Sequence, residues 1–99
     1  MSTEQREQFP VIRLPERFDF SFHKTFAESY QTILEQQQVN QVEIDFSRVL
    51  YLDSSALGML VLLAKKFAPL GTRLVITGAS GTALEIIEMA NLNKLFEIQ

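Results

Sequence analysis

A chain of 99 residues, 46% of them hydrophobic and 21% charged, has room for one globular core and not for two. Its 9 Lys and Arg against 12 Asp and Glu leave a formal net charge of -3, which argues against a broad surface for nucleic acid. There is no cysteine and His23 is the single histidine, so a disulfide framework, a catalytic thiol and a histidine-built metal site are excluded.

Residues 1–8 are polar and mixed in charge, with no apolar signal core. The longest apolar run, Ala56 to Ala64, is less than half of the ~20 residues that a spanning helix needs. A cytoplasmic protein without membrane insertion is therefore expected, with residues 9–99 forming a single domain behind the polar segment 1–8. Phe9 to Leu14 begins a first strand, and Pro10 places it at an edge or an end. Pro15-Glu16-Arg17 turns the chain, and Phe18-Asp19-Phe20 adds a short second strand. Ser21 or Thr25 then opens a helix with Phe22, Phe26, Tyr30, Ile33 and Leu34 at helical spacing, fading in Glu35-Gln36-Gln37-Gln38.

Val42-Glu43-Ile44-Asp45-Phe46 alternates apolar and acidic residues, the period of a strand with one face buried. A second helix begins after Ser54, with Leu57, Leu60, Val61, Ala64 and Phe67 or Ala68 as its inward stripe, and Pro69 and Gly71 end it. Met59, Leu62 and Leu63 lie off that stripe beside Gly58, as a contact surface or under another element. Arg73–Thr77 has the β-branched, apolar character of a central strand. Gly78-Ala79-Ser80-Gly81 is a turn, with Ser80 or Thr82 capping a third helix that carries Ala83, Leu84, Ile87 and Ala90; Leu95–Ile98 is a last strand. The expected fold class is α/β: a small mixed sheet of about four or five strands with helices near residues 22–36, 55–68 and 82–91 packed on it. The first two strands are too close for a crossover, so they pair antiparallel or splay apart.

The chemistry concentrates in Asp53-Ser54-Ser55, where a short strand-like run ends and the second helix begins. The first N–H groups of a helix lack internal partners and carry partial positive charge, so an anion such as a phosphate is stabilised there. Ser54 or Ser55 is thus a candidate phosphoacceptor. Ser and Asp are also ordinary helix caps, which accounts for the same residues with no further role.

The string from Val42 through Asp53-Ser54-Ser55-Ala56-Leu57-Gly58 resembles the core motif of the STAS domain, and in particular of the bacterial anti-sigma-factor antagonists. The resemblance extends over almost the whole chain. It implies a regulatory binding module rather than an enzyme, with no cofactor and no metal, in which Ser54 is the phosphoacceptor. It implies that Asp53, Ser55 and Asp19 support the phosphosite. The partners implied are a regulator with a serine-kinase fold, which phosphorylates the module, and a metal-dependent serine phosphatase, which reverses the mark. Gly58, Met59 and Leu62, next to Ser54, are expected to line the partner contact. Two positions depart from the family pattern: Ala56 stands where Gly is frequent, and Glu16-Arg17-Phe18-Asp19 stands for Gly-x-Leu-Asp.

Other classes lack their parts. A serine hydrolase would need a base beside its nucleophile, and there is one His and no Gly-x-Ser-x-Gly elbow. A receiver domain phosphorylated on Asp53 would need an acid pair for Mg²⁺ and a basic residue on a late strand. The alternative with substance is an unphosphorylated STAS scaffold subunit of a larger complex, such as a lipid-transport ATPase, using the same apolar helix face.

Overall fold

A computed structural model describes residues 9–36 and 39–99. Its elements run β1 (Val11–Arg13), β2 (Arg17–Phe18), α1 (His23–Leu34), β3 (Gln41–Asp45), β4 (Tyr51–Leu52), α2 (Ser54–Phe67), β5 (Arg73–Thr77), α3 (Gly81–Met89) and β6 (Glu97–Ile98). Four strands form one sheet in the order β1-β3-β5-β6, and β2 with β4 forms a separate two-stranded ribbon. Every one of these pairings is parallel. Parallel neighbours need long connections, which α1, α2 and α3 supply. The first two strands splay into different sheets: Leu14 closes the β1 ladder by donating to the Asp45 carbonyl, and Pro15, with no N–H, carries the chain away.

The core arises from alternation. Val42, Ile44 and Phe46 are buried, while Gln41, Glu43 and Asp45 on the other face are half-exposed. Ile12, Leu14, Leu74 and Ile76 extend the buried side, and Phe26, Tyr30, Leu60, Phe67 and Ile87 from the three helices close over it. β5 is apolar on both faces: Val75 is also buried, on the opposite side, where its sheet neighbours are Glu43 and Glu97.

Three local expectations are corrected. The second strand stops at Phe18, and neither Ser21 nor Thr25 caps the next helical segment. Asp19 does so, accepting from the Ser21 N–H at 3.0 Å ahead of a 3-10 turn, Phe20–Phe22, that runs into α1. The inward stripe of α2 is Ala56, Leu60, Leu63, Ala64 and Phe67, with Leu57 and Val61 only half-buried and Ala68 exposed. Leu63, expected off the stripe as a contact residue or under another element, is part of the stripe and fully buried. The helix is apolar around most of its circumference, so spacing alone does not locate the centre of the stripe. The last strand is shorter than expected, because Leu92–Lys94 forms a 3-10 turn that tucks Leu92 and Phe96 into the core and leaves Glu97 and Ile98 to pair with β5.

Gly78 is where glycine is needed. Its φ is +75°, and a Cβ there would come within 2.9 Å of the Ser47 nitrogen, where the β5–α3 turn passes the β3–β4 turn. The contact holds together the two loops at the C-terminal ends of the central strands.

Candidate functional site

The ribbon positions the site. Arg17 pairs with Tyr51 and Phe18 with Leu52, so the next residues, Asp19 and Asp53, stand at the same end of the two strands. Phe18 and Leu52 are buried and anchor that end to the core. α2 starts directly after Asp53.

Asp53 is the helix cap. Its Oδ1 accepts from the Ala56 N–H at 3.0 Å, and its carbonyl accepts from Leu57 at 3.2 Å. Ser54 and Ser55 are therefore the first two helical residues, both exposed. Among the described residues neither hydroxyl makes a hydrogen bond within the chain. The capping explanation for this string thus falls on Asp53 and not on the serines.

Asp19 does not contact the serines by hydrogen bond. Its Oδ1 accepts from the Ser21 hydroxyl and N–H, and its Oδ2 accepts from Arg17 Nε at 2.8 Å. The Ser21 hydroxyl above all, then the Ser21 N–H, holds the Asp19 carboxyl below its ordinary value, with a smaller contribution from Arg17. Arg17 in turn lies over the Tyr51 ring, 4.5 Å from its centroid.

The residues expected to meet a partner share one side of α2. Ser54, Gly58 and Leu62 succeed one another at four-residue spacing, and Ser55 and Met59 run beside them. Gly58 is exposed, and a Cβ built on it would meet nothing within 4 Å, so the fold itself does not require glycine there. Leu62 is 47% exposed, whereas Met59 is half-buried and packs on the core. Met59 is thus a shared residue, part core and part surface.

Sequence reasoning missed the α1 side of this surface. Between α1 and α2 lies an apolar groove of about 200 Å³ lined by Phe20, His23, Ala27, Tyr30, Met59 and Leu62, with Phe26 at its floor. Phe20, 60% exposed, stacks flat on the His23 ring at 4.1 Å and 7°. His23 Nδ1 lies 2.8 Å from the Phe20 carbonyl, so it carries the proton and donates. The signal lay in the aromatic run Phe18, Phe20, Phe22 and Phe26, which is longer than one buried helix stripe requires.

Among the described residues no group of three or more His, Asp and Glu is placed to hold a metal ion, and no helix is long and apolar enough to cross a membrane. A parallel sheet, a capped helix whose two leading serines make no side-chain hydrogen bond among the described residues, and an adjoining apolar groove define a small α/β domain. The chain belongs to the STAS domain family: the family model described as "Mlab, STAS domain" matches residues 1–97. The STAS-domain containing protein PA14_20770 of Pseudomonas aeruginosa (strain UCBPP-PA14) is 31% identical over 88 residues, covering 89% of this chain and 85% of the relative. The fold resembles TM1081 of Thermotoga maritima with a TM-score of 0.76 at 17% identity, over 90% of this chain and 71% of that one. It also resembles the anti-sigma factor antagonist SpoIIAA of Bacillus in its phosphorylated form, with a TM-score of 0.69 at 20% identity over 90% and 80% of the two chains. The family is one of regulatory binding domains and not of enzymes.

Proposed function

We propose that this chain is a phosphorylatable binding module of the anti-sigma-factor antagonist type, which changes partners according to the state of Ser54. The observation that carries the reading is the division of labour at the start of α2. Asp53 takes the cap, and Ser54 stands exposed at the first helical position with a hydroxyl that makes no hydrogen bond among the described residues. SpoIIAA, which shares the fold, exists in unphosphorylated and phosphorylated forms.

A phosphoryl group adds about -1.5 to -2 charge near pH 7. At an exposed helix N-terminus that charge is tolerated, with about 0.3–1 kcal/mol of favourable interaction. Desolvated against the apolar stripe of a partner, the same charge would cost several kcal/mol, on the order of the penalty for an unpaired buried ion. About 1.4 kcal/mol is already tenfold in affinity. The modification therefore acts on binding and leaves the domain folded. The partner is a regulator with a serine-kinase fold that contacts Gly58, Met59 and Leu62, and a metal-dependent serine phosphatase resets the module. Asp53 and Ser55 support the phosphosite, with Asp19 at the neighbouring strand end.

The test is mass spectrometry of the chain after incubation with its cognate kinase and ATP, alongside Ser54→Ala. Phosphate on Ser54, lost in the variant, is the expected result; phosphate on Ser55 alone would move the site by one residue. No phosphate on either, with an active kinase, would favour the second reading. In that reading the domain is an unphosphorylated scaffold subunit of a larger assembly such as a lipid-transport ATPase. The observation that favours it is that Phe20 and Leu62 are exposed apolar groups available whatever the state of Ser54.

A further inference from the structure

The two walls of the apolar groove run the same way. α1 follows β2 and α2 follows β4, which pair in parallel, and the helices deliver the chain to β3 and β5, which also pair in parallel. On the α2 wall Met59 and Leu62 belong to one row at helical spacing that starts at Ser55 and ends at Lys66. The row spans about three turns and 16 Å at the rise of an α-helix. Two helical walls running side by side over that length form a seat for a third helix.

Three features of this seat are idle within the domain. Gly58 stands mid-helix beside Leu62, exposed, and a Cβ there would meet nothing within 4 Å, so the glycine weakens α2 without serving the fold. It suits a neighbour whose backbone comes close to α2. Tyr30 lines the groove and is 4% exposed, and among the described residues its hydroxyl makes no hydrogen bond. An acceptor on an occupant would relieve that unpaired donor. Lys65 and Lys66 are exposed at the end of the groove away from Ser54, and among the described residues neither makes an ion pair. No carboxylate among the described residues lines the groove, so the charge in line with it is cationic and lies at that end.

We infer that the groove seats an amphipathic helix of the partner, laid antiparallel to α1 and α2. Its apolar stripe fills the space between Phe20 and Leu62, and acidic residues of its first turn meet Lys65 and Lys66. Acidic residues also suit a helix N-terminus on their own account, because they offset its partial positive charge. The direction follows from that match. The carbonyl end of the docked helix, partially negative, stands beside Ser54 and Ser55. A phosphoryl group at Ser54 repels that end, which gives the switch its sign. This last step rests on the reading of Ser54 as the phosphoacceptor; the seat and its direction do not.

The probe is a displayed library of helical peptides of about four turns, with Leu fixed at i, i+4, i+7 and i+11 and the other positions random, selected on the whole chain. Recovered peptides should carry Asp or Glu in the first turn. The best of them, acetylated and amidated, is titrated by fluorescence anisotropy. Leu62→Ala should weaken it about tenfold or more, as loss of a central anchor does. Lys66→Gln should weaken it about twofold to fivefold at low ionic strength and hardly at high. Gly58→Ala should weaken it while raising the melting temperature by roughly 2–8 °C, a pairing that a glycine needed by the fold would not show. Met89→Ser, at an exposed position of α3, should change nothing. Phosphoserine installed at position 54 during translation, so that no kinase enters, should weaken binding by at least about twofold. Peptides with their acids in the last turn, or a phosphoserine that tightens binding, would overturn the direction. A library that yields no binder, or a binder indifferent to Leu62→Ala, would overturn the seat; should that variant fail to fold, Phe20→Ser decides in its place. A dimer of the parent chain in sedimentation that Leu62→Ala dissociates would give the groove to a second copy and overturn the partner helix. Failure of the cognate kinase to label Ser54 removes the phosphorylation reading and leaves the peptide results standing.

Discussion

Leu62 and Leu63 are consecutive leucines in one helix, and the structure gives them opposite fates. Leu63 is fully buried among the core residues, whereas Leu62 is 47% exposed at the rim of the α1–α2 groove. Truncating a buried leucine to alanine removes its transfer free energy and leaves a cavity, together about 2–5 kcal/mol. For a domain of this size each kcal/mol lowers the melting temperature by roughly 4–8 °C. Leu63→Ala should thus lower it by at least about 8 °C, and at the upper end leave little of the about 5–15 kcal/mol that holds a typical domain together. Leu62→Ala changes a half-exposed side chain and gains slightly in helix propensity, so its cost should stay under about 1 kcal/mol. The assay is thermal and urea unfolding monitored by circular dichroism, with partner affinity measured on each folded variant. Leu62→Ala should lose affinity while keeping stability. Equal destabilisation by the two variants would mean that the stripe of α2 is rotated from the one described, and would remove the groove as a surface.

Met59 packs partly on the core, so Met59→Glu should weaken partner binding with a stability cost of about 1–2 kcal/mol, where a solvent-exposed site would show about 0.5 kcal/mol or less; urea midpoints separate the two. Gly78→Ala places a Cβ at a φ of +75° and against the Ser47 backbone, so a loss of about 1–3 kcal/mol is expected, and an unchanged midpoint would refute the close approach of the two loops. Asp45 has its carboxyl held below the ordinary value first by the Ser47 N–H, at 2.8 Å, and then by the Ser47 hydroxyl. A depressed carboxylate contributes stability that is complete above its unfolded value, near about 4, and is lost as pH falls through the folded one. Asp45→Asn should therefore flatten the acid limb of the stability profile below about pH 4, and an acid limb identical to the parent's would remove this linkage.

Much of the fold was written in periodicity. The alternation of Val42–Phe46, the β-branched run Arg73–Thr77 and the helical spacing of Phe26, Tyr30 and Ile33 each predict the element that forms. What periodicity could not carry was orientation. α2 is apolar nearly all round, so which leucine faces the core is decided by contacts with β4 and α1 and not by local spacing. Strand pairing was likewise open at β1 and β2, because closeness in sequence allows a hairpin or a splay. Leu14 and Pro15 decide it through where the ladder ends. In the site, Asp53 and the two serines were legible because a cap is a local device. The α1 wall of the groove was not, because Phe20 and His23 meet Met59 and Leu62 only after α1 and α2 have packed.

The same distinction bears on how the proposed phosphorylation of Ser54 would leave the fold undisturbed. A serine that capped α2 would lose its hydrogen bond on modification, and the helix start would answer with about 1 kcal/mol. Here the cap belongs to Asp53, whose extended backbone and Oδ1 contact to Ala56 do not involve the Ser54 hydroxyl. Strand β4 behind it is tied to β2, and Leu52 and Phe18 are buried beneath both. The hydroxyl is thus mounted on a rigid corner yet is structurally idle, which is the condition for a charge added there to be felt by whatever docks on the Gly58–Leu62 side and hardly at all by the core. Ser54→Asp tests this separation directly. It should leave the unfolding midpoint within about 0.5 kcal/mol of the parent, as surface changes do, while lowering partner affinity by less than phosphate does, since it carries a smaller charge. An Asp variant that unfolds the domain would show the corner to be part of the core's support.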